Sequence, residues 1–74
     1  MKLYVSSALK AQDIIALLTG YTEGGVSFKF VKKTGLKMEF EASGIEGDEA
    51  ISLVKKLIRA TEYGQALYFS VSEF

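Results

Sequence analysis

Two short spacings in this chain could carry nucleophilic chemistry. Ser7-Ala8-Leu9-Lys10 sets a hydroxyl three residues before an amine, as S-x-x-K, and Lys33-Thr34-Gly35 reads K-T-G. In acyl-transfer enzymes these signatures supply a serine nucleophile with a neighbouring lysine base, set in a cleft between two large subdomains. A chain of 74 residues cannot build that cleft, and the accompanying S-D-N element is missing. The plainer reading is a helix cap at Ser6 or Ser7 and a hairpin turn at Lys33-Thr34-Gly35. Glu46, Asp48 and Glu49 form a carboxylate cluster, but without the D-x-[DN]-x-[DN]-G spacing that wraps calcium. Favourable charge at the start of a helix accounts for them, so no metal site follows.

What is missing narrows the chemistry further. The chain has no His, Cys, Asn, Trp or Pro, and Arg59 is its one arginine. Imidazole acid–base catalysis, Ser-His-Asp and Cys-His nucleophile systems, disulfides and nitrogen or sulfur metal ligation are therefore excluded. No enzyme and no cofactor are expected.

Lysines are the next candidates. Lys29, Lys32, Lys33 and Lys37 crowd one hairpin, where they could meet phosphate or an acidic partner. The competing role is to keep a phenylalanine-rich edge strand from pairing with its neighbours. Ser6, Ser7 and Lys10, at a helix start, could hold an anion on free N–H groups. Nine basic residues balance nine acidic ones. Since nucleic-acid binders draw affinity from a basic excess, that balance argues against nucleic acid as the partner.

The elements that position these residues follow from periodicity. Lys2 to Ser6 alternates as a strand, with Leu3 and Val5 on one face and Tyr4 on the other. Ala11, Ile14, Ile15 and Leu18 form one helical stripe ending at Gly20, with Leu9 and Ala16 nearly opposite it. Val26, Phe28 and Phe30, then Leu36, Met38, Phe40 and Ala42, alternate as a hairpin joined by a turn over residues 32–35. A second helix is expected from about Asp48 to Tyr63, facing inward with Ile51, Val54, Leu57, Ile58 and Thr61 and closed by Gly64. Leu67, Phe69 and Val71 then alternate in a last strand.

The order β-α-β-β-α-β over residues 1–74 is a single α+β domain. Its economical packing is a two-layer, open-faced sandwich with two helices on one face of a four-stranded, mostly antiparallel sheet. Two strand orders fit, the ferredoxin-like 4-1-3-2 and the alternative 1-4-2-3. Either one makes the first and last strands neighbours, so that Tyr4 and Tyr68 can share the outer sheet face.

Read end to end, the chain resembles the HPr family, the histidine-containing phosphocarriers of the bacterial sugar phosphotransferase system. The family's G-L-H-A-R-P-A segment has its counterpart in Ala8-Leu9-Lys10-Ala11-Gln12-Asp13-Ile14. Leu9 and Ala11 match it. Lys10 stands where the phosphorylated histidine would be, Gln12 replaces the arginine and Asp13 the proline. Gly64-Gln65-Ala66-Leu67-Tyr68-Phe69-Ser70-Val71 resembles the family's glycine and fourth strand. The resemblance implies the HPr-like order 1-4-2-3, loss of phosphocarrier activity with the histidine, and docking of other proteins through the first helix at Leu9, Gln12, Asp13 and Ala16.

No apolar run approaches the roughly 20 residues that span a bilayer, and the N-terminus alternates like a strand, so a cytoplasmic protein without a membrane partner is expected. An apolar fraction of 49% is high for so small a chain. Small domains have much surface to cover, so the expectation is a non-enzymatic interaction or regulatory domain that meets a protein partner or itself as a homo-oligomer. A small nucleic-acid or phosphoanion module using the hairpin lysines is the alternative.

Overall fold

The first strand sets the frame for the rest. In the computed structural model, which describes residues 1–73, β1 runs from Lys2 to Ser7, and its odd residues Leu3, Val5 and Ser7 are buried while its even residues face outward. Helix α1 (Ala11–Thr19) follows, then β2 (Ser27–Thr34), β3 (Lys37–Ser43), helix α2 (Asp48–Arg59), a single 3₁₀ turn at Tyr63–Gln65, and β4 (Phe69–Glu73). The strands form one sheet in the order β2-β3-β1-β4, every pairing antiparallel. Read from the other edge this is 4-1-3-2, the ferredoxin-like order. The 1-4-2-3 order implied by the phosphocarrier resemblance is not the one formed, because β1 lies between β3 and β4.

Both helices cover the face carrying Leu3, Val5, Met38 and Phe40, with α1 packed against β2 and α2 against β4. Ile14 and Leu18 of α1 and Ala50, Val54 and Ile58 of α2 are buried against that face. Phe40 is the largest fully buried side chain, and Phe30 meets its ring edge-on at 5.6 Å. Burying each such side chain contributes about 1.5–3 kcal/mol, so this layer accounts for most of the drive to fold. Among the described residues no helix is long and apolar enough to cross a membrane.

Several local boundaries differ from those the sequence suggests. Helix α1 is not capped by a serine. Its N-cap is Lys10 in the left-handed region (φ 61°), with no side-chain cap, while Ser7 folds its hydroxyl onto Leu9. Leu9 consequently lies in the turn before the helix rather than on it. The hairpin turn is the two-residue Gly35-Leu36, with Gly35 at φ 61° supplying the positive φ such a turn requires. It sits two residues later than expected because β2 bulges between Phe30 and Lys32 and absorbs Val31 as an extra residue. Leu36, expected on a strand's inner face, is therefore an exposed turn residue.

Helix α2 stops at Arg59, four residues before Tyr63. Thr61 ends it by donating its hydroxyl to the Ile58 carbonyl at 2.6 Å and accepting the Gly64 N–H at 2.9 Å. Gly64 lies buried beyond this bridge rather than at the helix terminus. The inner face of α2 is Ala50, Val54 and Ile58, while Ile51, Leu57 and Thr61 are half-buried. Val54 and Ile58 belong to both the expected stripe and this one, which begins at Ala50 rather than Ile51.

Candidate interaction surface

Three chain reversals meet at one end of the sheet. Ser7, the last residue of β1, donates its N–H to the Leu36 carbonyl of the β2–β3 turn at 3.1 Å, and on its other side pairs with Phe69 at the start of β4. The Ser7 hydroxyl donates to the Leu9 carbonyl at 2.6 Å and accepts the Leu9 N–H at 3.3 Å, which fixes the turn into α1. Leu36, Tyr68 and Leu9 are thereby gathered at this end, at 58%, 96% and 68% exposure. Leu36, Tyr68, Ala8 and Phe69 also line an open hollow of about 300 Å³ together with Ser6, Ser7 and Ser70. Its walls are mainly apolar. Water covers the surface poorly, and a contact that removes it from water is favourable.

The outward side of α1 continues from there. Gln12, Asp13 and Ala16 are all exposed, and helical spacing puts them side by side. Tyr4 lies elsewhere. It is half-buried on the open sheet face opposite Ser72, with the Lys37 ammonium 4.5 Å from its ring centre. Tyr68 precedes β4 by one residue, four positions from Ser72, so the two tyrosines stand about 13 Å apart along the strand. Adjacent strands do not make them one patch.

The open sheet face is polar, and its strand register sets lysines opposite glutamates. Lys29 pairs across the strands with Glu41, which also faces Lys2, and Lys32 pairs with Glu39, which also faces Tyr4. Lys33 has crossed to the other side of the bulge and donates to the Gly35 carbonyl at 2.7 Å. Of the hairpin lysines, Lys32 and Lys37 line one shallow hollow with Tyr4, Thr34 and Glu39, while Lys29 and Lys33 lie outside it. Ser6 and Ser7 lie on opposite faces of β1, so they do not converge with Lys10. On α2, Lys56 and Arg59 are exposed and Lys55 half-buried, along a shallow hollow shared with Ser52 and Ala60. Arg59 reaches over the Phe69 ring at 5.9 Å. Among the described residues no three carboxylates gather as a metal ion would need.

Comparison with family models, with curated proteins and with solved structures gives no match. The surfaces must therefore be read from their own chemistry. Leu36 is the residue that periodicity misses there. Its one sequence signal is the preceding glycine, which fits a two-residue turn better than a four-residue one.

Proposed function

We propose that this chain is a non-enzymatic protein-interaction or regulatory domain that associates with itself and presents the apolar end of its sheet, with the outward side of α1, to a protein partner. The observation that carries this reading is the gathering of Leu9, Leu36 and Tyr68 at one end of a domain whose open sheet face is otherwise charged. An apolar cluster beside a polar, charged face is the pattern of a contact surface with a polar rim. The absence of His and Cys from the chain leaves Ser, Thr, Tyr, Lys, Asp and Glu as its reactive groups, and of these Ser7 and Lys33 are engaged by the backbone of neighbouring turns.

Light scattering at several protein concentrations and two salt levels tests the self-association. The expected outcome is a mass of two or more chains that persists at high salt, because apolar and backbone contacts are not screened. A single-chain mass at every concentration would sink that part of the reading, and the apolar end would then belong to a different protein alone.

A further inference from the structure

The two edges of the sheet are built differently. The β2 edge carries Lys29, Lys32 and Lys33 and is broken by the bulge at Val31, which are the usual devices against strand-to-strand pairing. The β4 edge has none of them. Phe69-Ser70-Val71-Ser72-Glu73 contains no lysine or proline, and its register with β1 runs without a break.

The direction of its backbone groups follows from the ladder. Met1 exchanges both hydrogen bonds with Ala42, and Ser7 donates to Leu36, so the odd residues of β1 bond toward β3. Its even residues Tyr4 and Ser6 therefore bond toward β4, where they meet Ser72 and Ser70. Phe69, Val71 and Glu73 are left with N–H and C=O groups aimed at the free edge. Their side chains, opposite Ser7, Val5 and Leu3, lie on the helix side of the sheet.

We infer that β4 pairs antiparallel with β4 of a second copy about a twofold axis at Val71, joining two sheets into one. This register brings every outward backbone group to a partner, with Val71 opposite Val71 and Phe69 opposite Glu73 of the other chain. A shift by one residue would set these outward groups opposite Ser70 and Ser72, whose own N–H and C=O groups are taken up by β1. Charge selects the same register. Glu73 of one chain arrives on the helix side beside Phe69 of the other, whose ring already lies under Arg59. The carboxylate meets the guanidinium twice, once on each side of the axis. A hollow of about 490 Å³ lined by Arg59, Gly64, Gln65, Leu67, Tyr68 and Phe69 gives it room to enter. The two Val71 side chains form a β-branched cross-strand pair at the centre. The proposal rests on the self-associating reading above and locates its contact, leaving Leu9 and Leu36 outside the pair.

The test uses the whole chain and three variants, followed by light scattering and far-ultraviolet circular dichroism. Val71→Pro removes an N–H that points away from β1, so the ladder within the chain keeps its bonds while the pair loses its central one. Arg59→Glu and Glu73→Arg each set like charges together twice, and each should weaken the dimer by roughly tenfold or more. Mixing those two variants restores both opposite-charge contacts in the mixed pair, so dimer should return on mixing. A dimeric parent, folded monomeric Val71→Pro, and recovery on mixing are the expected results. A parent dimer that all three variants leave intact would overturn the β4 pairing while preserving self-association. A parent that is monomeric at every concentration would overturn both. If the proline variant unfolds, failure of the mixed charge variants to dimerise better than either alone overturns the pairing by itself.

Discussion

Replacing Gly64 by alanine puts the Thr61 bridge to a quantitative test. An added Cβ would stand 1.7 Å from the Ile58 carbonyl oxygen, 2.5 Å from its carbon and 2.7 Å from Thr61 Oγ1, where contacts under 3.0 Å essentially never occur. The 3₁₀ turn must therefore retreat by more than an ångström from the end of α2. That retreat breaks the Gly64 N–H bond to Thr61, and with it the hydroxyl's hold on Ile58. Two hydrogen bonds at about 1 kcal/mol each, plus about 1–3 kcal/mol of overpacking strain, give a loss of about 3–5 kcal/mol. Against a typical total of about 5–15 kcal/mol, that is a large fraction of the stability. Urea titration followed by circular dichroism should show it, and thermal melting should fall by about 12–40 °C. Thr61→Val, which keeps the shape and removes the hydroxyl, should lose only about 1–2 kcal/mol. Gly24→Ala isolates the backbone effect, since its Cβ meets open space and only the φ of 63° resists, at about 1–2 kcal/mol. A Gly64→Ala loss below about 1 kcal/mol would refute the close-approach argument.

Phe40→Ala should cost about 3–5 kcal/mol in the same titration, because it empties the centre of the core and strands the Phe30 ring. Ser7→Ala removes the hydroxyl from the β1–α1 turn and should cost about 1–2 kcal/mol, with faster amide exchange at Leu9. Lys32→Ala with Lys33→Ala should leave the solution mass unchanged, and a steep salt-dependent loss of nucleic-acid binding in that variant would instead favour the phosphoanion reading. Lys10→Gly should stabilise the fold by up to about 1 kcal/mol by relieving a left-handed lysine, measured as a higher urea midpoint.

Alternation and helical spacing recover most of the core. Leu3, Val5, Phe28, Met38, Phe40 and Ala42 face inward as their period requires, and so do Ile14, Leu18, Val54 and Ile58. The failures have local causes. Nothing in Val31-Lys32-Lys33 marks a bulge, so strict alternation places the turn on earlier residues and Leu36 on an inner face. Periodicity overruns the end of α2 because threonine at position 61 continues the helical pattern while its hydroxyl bonds the Ile58 carbonyl. Glu39 alternates outward as expected but is buried all the same, covered on the open face by its neighbours on β1 and β2. The strand order lies beyond periodicity altogether, since it is set by which faces meet over distances no local pattern encodes. Leu9, Gln12, Asp13, Ala16 and Tyr68 are legible as exposed, but the gathering of Leu9 and Tyr68 with Leu36 depends on the Ser7 bonds that join three turns.

The lysines and bulge of β2 would also limit how far the proposed assembly could grow. Two chains joined at β4 would present β2 at both outer ends of a continuous sheet, and each end resists further addition. Association by the proposed pairing would therefore stop at two chains instead of propagating as a ribbon. One extra residue, Val31, would then be part of what separates a closed pair from a continuous sheet.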